Sequence, residues 1–526
     1  MFSWDLPYPS NRHPVLARNV VATSQPLAAQ AGLQMLREGG NAVDAALASA
    51  ITLTVVEPAM NGVGSDAFCI VWDGKKLHGL NASGRSPSSW APNRFDGHSQ
   101  MPVTGWDSVT VPGCVSAWSE LSQTFGRLPF TRLFESAIQY ARDGYAVGPV
   151  TAEAWSSAAQ TLGHFEEFAK TFLPEGRAPR PGEYFRSIEL ARTLQTIAET
   201  HGEAFYRGEL AERIVADAKR SGGDLSLDDL ADHKCDWVGT ISTNFKEYAI
   251  HEIPPNGQGL ACLIAFGILR HLPIDDFAVD STDFIHIQIE VMKLALADAY
   301  RYVADLDYMT IPHTSLLSDD YLSMRARQIS LDKASTVSYG VPKTSETVYL
   351  TTADEAGMMV SFIQSNYMGF GSGIVVPDTG ISLQNRAAGF SLAAGHPNRV
   401  GSRKRPFHTI IPAFLMNGES PTMSFGVMGG PMQTQGHFQI VLRVILHGQN
   451  PQVAIDGPRW QVMGGMEVAI EDSFPTITLN ELEKRGHMLR RLPKQPLFGG
   501  AQLIYRLENG YCAASESRKE GQAVGY

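Results

Sequence analysis

Two-thirds of the way along this 526-residue chain the sequence changes its periodicity, and that change limits what it can fold into. Before residue 330 the apolar residues recur mainly at helical spacing. "SQPLAAQAGLQMLREGG" offers Ser24 as a helix cap, Pro26 in the first turn and Gly39-Gly40 as a stop. Asn41 caps "AVDAALASAITLTVVEP", and "STDFIHIQIEVMKLALADAYRYVADL" (281–306) predicts a helix of roughly seven turns at 3.6 residues each. Short strands such as "AFCIVWDG" (67–74) and "EYAIHEIP" (247–254) lie between the helices. Then "SLDKASTVSYGVPKTS" (330–345) carries Gly340, Pro342 and no apolar period, so it reads as an exposed linker.

Beyond that segment the chain is strand-rich. "TVYLTTA", a turn at "DEAG" and "MMVSFIQS" predict a hairpin. Later come "TIIPAFLM" (409–416), a helix in "QTQGHFQIVLRVILHG" (433–448), "EVAIE" (467–471) and "AQLIYRLENGYCAA" (501–514). Helices mixed with antiparallel strands require sheets covered by helices. The sequence shows no internal repeat and no low-complexity tract.

Composition excludes several classes of partner. A net charge of −11 argues against nucleic acid or an anionic membrane surface, which need a positive footprint. The longest apolar run, "AALASAITLTVV", is interrupted by Ser49, Thr52 and Thr54 and is too short for a membrane span. "MFSWDLPYPSNRHP" lacks the pattern of a secretory signal. Five widely spaced cysteines without a C-x-x-C pair indicate neither a disulfide framework nor a zinc site, so a reduced, cytoplasmic protein is expected. The fifteen histidines are scattered, no H-E-x-x-H or G-x-S-x-G occurs, and neither metal nor cofactor is called for. "GVGSDA" (62–67) matches a loose dinucleotide pattern, but strand rather than helix comes after it.

Four glycine-rich or hydroxyl-rich spots remain, "GVGSDAF" (62–68), "MGFGSG" (368–373), "KRPFHTIIP" (404–412) and "GVMGGPMQTQGHF" (426–438), and the last of them and Thr347 can be read for chemistry. Gly429-Gly430, before a helix starting near Pro431, makes either a tight strand-to-helix turn or a nest of N–H donors for an oxyanion. Thr347 is an ordinary strand residue unless the chain is cut just before it. The freed α-amino group, with a pKa near about 8, could then take the proton from the residue's own hydroxyl.

Seven motifs in the same order resemble the γ-glutamyltransferase family of N-terminal-nucleophile hydrolases. They are "LREGGNAVDAALA" (36–48), "PPNGQGL" (254–260), "ETVYLTTADEAG" (346–357), "GFGSGIVVPDTGISLQN" (369–385), "RKRPFHTIIP" (403–412), "GVMGGPMQTQ" (426–435) and "DGPRW" (456–460). The resemblance implies an α+β fold, a four-layer αββα sandwich, made as a precursor that cleaves itself at Glu346–Thr347. The products would be a large subunit, 1–346, and a small subunit, 347–526, intertwined as a heterodimer that could pair further into (αβ)2. It implies Thr347 as nucleophile, Gly429 and Gly430 as oxyanion donors, and Ser365 where the family has a second threonine bonded to the nucleophile.

The departures concern substrate. The family's arginine for the glutamyl carboxylate is Ser83 here, with Arg85 two residues on. Its aspartate for the amino group falls at Gly389, beside Ala388, its Ser-Ser pair becomes His408-Thr409, and an asparagine becomes Tyr367. Without that counter-charge a substrate ammonium is disfavoured, whereas Arg85 and Arg386 suit a carboxylate. The expected partner is therefore a small amide bearing a carboxylate and no amine, as in the family's oxamate-cleaving amidohydrolases of late purine breakdown. γ-Glutamyl transfer and glutaryl or cephalosporin acylation are the alternatives.

Overall fold

The computed structural model describes residues 11–337 and 346–526. Two seven-stranded antiparallel sheets form its centre. One runs, in spatial order, Val15–Ala17, Gly510–Ser515, Gly500–Leu507, Ser420–Met428, Ala413–Asn417, Tyr248–Glu252 and Ile241–Phe245. The other runs Gln522–Gly525, Val20–Thr23, Glu346–Ala353, Met359–Tyr367, Asp66–Trp72, Leu77–Asn81 and Asp236–Trp237.

Side-chain alternation along the strands builds the layers. Tyr349, Ala353, Phe68 and Ile70 meet Phe414, Met428 and Ile504 between the two sheets. Their neighbours Val348, Leu350, Cys69 and Val71 point outward, under the helices Ala42–Val56 and Cys114–Phe125. On the far side Leu415, Phe425 and Val427 pack beneath Gly259–Leu269, Thr282–Tyr302 and Met432–Ile445. The architecture is the αββα sandwich.

Local expectations fare unevenly. Asn41 caps its helix with a reciprocal box through Asp44. Ser24 does not cap the first helix: its hydroxyl goes to Glu57 at 2.5 Å, and Gln25 caps Pro26–Arg37 instead. The long helix stops at Tyr302, and "TIIPAFLM" becomes strand only from Ala413. Over 330–337 the linker is largely exposed and without helix or strand, as expected, but it is anchored at Ala334 and Ser335. There Ser335 N–H donates to buried Glu290 at 2.9 Å and Ala334 is buried, because Glu290 and Lys293 need polar partners inside the helical layer. Residues 338–345 lie outside the described residues.

Candidate active site

Thr347 stands one residue into the strand Glu346–Ala353, on the face it shares with Tyr349 between the sheets. Strand pairing jumps from Glu346↔Tyr367 to Val348↔Gln364, so Thr347 lies opposite a bulge at Ser365 and Asn366. Bulges of this kind re-aim side chains, and here the result is a contact. The Thr347 hydroxyl donates to Ser365 Oγ at 3.1 Å. Ser365 Oγ also accepts the Tyr367 N–H at 2.8 Å, which helps hold Tyr367 at φ +79, a left-handed conformation unusual for an aromatic residue.

A second group reaches the same hydroxyl. Gln433 Nε2 donates to Thr347 Oγ1 at 3.3 Å, while its Oε1 accepts the Ile411 N–H at 3.1 Å. The fixed Ile411 donor sets which end of the amide faces the threonine. Sequence reasoning misses Gln433, although it lies inside the "GGPMQTQ" motif.

The glycine pair forms the turn from the strand Ser420–Met428 into the helix Met432–Ile445, at φ +119 for Gly429 and +58 for Gly430. Gly430 O accepts from Gln258 Nε2 at 2.8 Å and from Gln433 N–H at 3.0 Å. Gly429 O accepts the Met432 N–H at 3.1 Å. Both carbonyls are thus occupied, while neither glycine N–H has a protein acceptor among the described residues. Gly429 and Thr347 line one cavity of about 520 Å³, with Ala154, Ala158, Leu162, Met428, Leu497 and Lys519 in its walls.

Behind Ser365 lies a buried charged cluster. Arg386 is fully buried, with its guanidinium carbon 4.2 Å over the Tyr367 ring and Nη1 donating to Thr409 Oγ1 at 2.8 Å. Its Nε and Nη2 have no partner among the described residues. Burial lowers its pKa to about 10, against the pull of Asp66. Asp66 pairs in register with Ser365 on the adjacent strand. Burial raises its pKa to about 7, with Arg386 and a Gly84 N–H bond opposing the rise. His408 Nδ1 accepts the Ile410 N–H at 3.3 Å, so Nε2 carries the proton and donates to Asp66 at 3.1 Å. Burial and the nearby arginines keep that imidazole neutral.

The structure therefore brings Thr347, Ser365, Gly429, Gly430, Tyr367, Arg386, His408 and Thr409 into one connected region. Arg85 is not brought there. It lines a separate cleft of about 360 Å³ with Asp229, His233 and Arg403, and lies 3.8 Å from Asp236. The reason is local: Arg405, inserted between, donates to Ser83 O at 2.8 Å and takes Asp236 at 2.6 Å.

Two buried trios put metal-type ligand atoms within 4.8 Å of one another: Glu252–Cys262–His437 and His286–Glu290–His487. Hydrogen bonds already use them. His437 accepts the Val427 N–H at 3.1 Å and contacts Glu252 at 2.8 Å, and the Lys293 ammonium sits 2.7 Å from Glu290 where a cation would go.

A family model described as gamma-glutamyltranspeptidase matches residues 28–526. The chain is 35 % identical to a glutathione hydrolase-like YwrD proenzyme of Bacillus subtilis over 526 residues, covering 98 % of this chain and 100 % of that one. It is also 35 % identical to an oxamate amidohydrolase proenzyme of Klebsiella pneumoniae over 516 residues, 95 % and 97 % of the two chains. A solved structure of a cephalosporin acylase from Bacillus halodurans superposes with a TM-score of 0.96 at 46 % identity, over 100 % of this chain and 99 % of that one. Among the described residues no helix is long and apolar enough to cross a membrane.

Proposed function

The chain belongs to the gamma-glutamyltranspeptidase family, and from that premise we propose that it is a self-processing amidohydrolase whose nucleophile is Thr347. One observation carries the reading. The Thr347 hydroxyl is held by Ser365 and Gln433 in the wall of the cavity that also receives Gly429 of the glycine turn.

The reaction begins on the chain itself. Thr347 Oγ attacks the Glu346 carbonyl carbon, the acyl group moves from nitrogen to oxygen, and water hydrolyses the ester. This leaves a Glu346 carboxylate, a free Thr347 amine, and subunits 1–346 and 347–526 as a heterodimer. The amine, with a pKa near about 8, is the base for its own hydroxyl. Oγ then adds to the substrate amide carbonyl, and the negative oxygen is received by the Gly429 and Gly430 N–H groups. Collapse returns the proton to the leaving nitrogen and leaves an ester on Thr347. Water, deprotonated by the same amine, releases the acid. For oxamate the sum is oxamate plus water to oxalate plus ammonia.

The substrate we propose is a small amide bearing a carboxylate, oxamate first. The cluster of Arg386, Tyr367, His408 and Thr409 behind Ser365 supports this with buried positive charge close to the nucleophile, although none of the four lines the Thr347 cavity itself. Arg85, on its separate cleft, has no part in this site. A bulkier acyl amide, of the sort a cephalosporin acylase takes, is the second reading. It is favoured by a cavity of about 520 Å³ with Ala154, Ala158 and Leu162 in its wall, more room than oxamate fills.

Two measurements test this. On a denaturing gel, mature protein splits at Thr347, while Thr347→Ala stays a single inactive chain of 57.3 kDa. Ammonia release is then screened over oxamate, malonamate, succinamate and glutamine, beside a γ-glutamyl anilide and a glutaryl amide. An uncut, fully active chain would sink the mechanism. Turnover of the anilide or the glutaryl amide, with none of oxamate, would replace the substrate and keep the chemistry.

A further inference from the structure

Among the described residues the cavity over Thr347 has one ionisable side chain in its wall, and the proposed reaction leaves it without a role. Lys519 lines that cavity with Thr347, Gly429 and Leu497. It is only 7 % exposed. The carboxylates next to it in the chain are engaged elsewhere. Glu516 pairs with Arg459 at 2.7 Å and Arg518 at 2.9 Å, while Glu520 accepts the Val150 N–H at 2.6 Å. Among the described residues no acid forms an ion pair with Lys519. A buried ammonium without a counter-charge carries a large desolvation cost, and one that faces a ligand cavity has the ligand as its available partner.

The fold also gives the side chain a fixed path. Gly500 pairs in register with Met428, the residue just before Gly429. A Cβ on Gly500 would stand 2.8 Å from Lys519 Cγ, so the missing side chain is the groove in which the lysine stem lies. The adjacent Gly499 backs Gly429 itself, with 3.1 Å between its Cα and a Cβ built on Gly429. The stem of Lys519 is therefore laid along the strand pair that ends in the glycine turn, and the residue belongs to the wall of the reaction cavity.

We infer that Lys519 is the residue that recognises the substrate's carboxylate, and that it makes the site selective for anionic amides over their neutral counterparts. This rests on the proposed amidohydrolase reaction. Arg386 is wholly buried and Arg85 lines another cleft; of these three cations Lys519 alone lines the cavity. An ammonium is a compact point charge without the two-pronged geometry of guanidinium. It therefore tolerates acids of differing reach within a cavity of about 520 Å³.

The test compares an acid with its own carboxamide: oxamate against oxamide, and succinamate against succinamide. Lys519→Met lowers the acid-to-carboxamide ratio of kcat/KM by about 10–100-fold, the range for one charge-assisted hydrogen bond, with the loss mainly in KM. Lys519→Arg retains most of the ratio and Lys519→Glu inverts it. Added salt raises KM for the acid in the wild type and not in Lys519→Met. Self-cleavage at Thr347 reports whether each variant has folded. If Lys519→Met does not process, Lys519→Arg against Lys519→Gln makes the same comparison with a long side chain kept. An unchanged ratio, with both amides slowed alike, overturns the assignment and leaves Lys519 a packing residue. Wild-type protein that releases ammonia from no amide defeats the amidohydrolase reading instead, and this inference with it.

Discussion

Replacing Ser365 by alanine removes one oxygen and probes three features of the site together. That oxygen accepts the Thr347 hydroxyl at 3.1 Å and the Tyr367 N–H at 2.8 Å. Without it a buried amide N–H loses its acceptor, at a cost of about 1–3 kcal/mol. Tyr367 at φ +79 also loses a restraint, and relaxation of that backbone returns part of the cost, on the order of 1 kcal/mol. Unfolding entropy near about 2.1 cal/mol/K per residue gives roughly 1.1 kcal/mol/K for 526 residues, so the net cost of about 0–2 kcal/mol lowers the midpoint by only about 0–2 °C. The rate effect is larger. A nucleophile released from its orienting bond loses about 100-fold, and both self-cleavage and turnover use the same hydroxyl. The assay tracks the precursor band against its two fragments over time, then ammonia release from the processed protein. Ser365→Thr, which keeps a hydroxyl, restores both rates. If Ser365→Ala shows the small thermal shift while processing and turning over at wild-type rates, Ser365 only packs and the proposed nucleophile geometry is wrong.

The same geometry sets other outcomes. Gly429→Ala places a Cβ at φ +119 and 3.1 Å from Gly499 Cα, so the turn distorts; kcat falls by about 10²–10³-fold, the usual cost of one lost oxyanion donor, with little change in KM. Glu516 is buried, and although burial raises its pKa, Arg459 and Arg518 overcome that and bring it to about 2. A folded pKa depressed from 4.5 contributes stability that is complete above that value and lost as pH falls toward 2. The contribution is about 3 kcal/mol, seen as a fall of about 3 °C in Tm between about pH 4.5 and 2 that Glu516→Gln removes. The same variant is less stable at neutral pH by about 3–5 kcal/mol, because two buried guanidinium groups lose a partner; a neutral-pH Tm equal to wild type would contradict the network's role.

How far each feature was legible in the sequence depends on how local its physics is. The hairpin around "DEAG" and the box at Asn41 are set by a few adjacent residues, and they appear where the patterns place them. Ser24 misled because a cap is chosen by competition. Its hydroxyl had a stronger acceptor in Glu57, 33 positions away, and no local pattern contains that residue. The linker at 330–337 is largely exposed as read, except at Ala334 and Ser335, and Ser335 serves the buried Glu290 45 residues earlier, a contact no local pattern contains. The pairing of Thr347 with Ser365 was accessible only through the family resemblance, although the bulge that produces it is a matter of register.

Arg85 and Lys519 show the same limit from opposite sides. Arg85 sits in a motif, two residues from the position where the family carries its carboxylate-binding arginine, so sequence placed it at the site. Arg405, from a segment more than 300 residues on, occupies the space between and ties Ser83 and Asp236 together. Lys519 lies in "SESRKEGQ", a short charged run that belongs to none of the motifs. Its burial depends on Glu516 and Glu471 neutralising Arg459 and Arg518, so that the run folds inward and holds Phe498 and Ala501. One charge is left over from that balance, and the missing side chain of Gly500 leaves room for its stem on the cavity wall. The specificity of the site is thus set by the residue that a structural ion-pair network leaves unpaired. Disabling that network with Glu516→Gln should therefore disturb the acid-to-carboxamide preference as well as the stability.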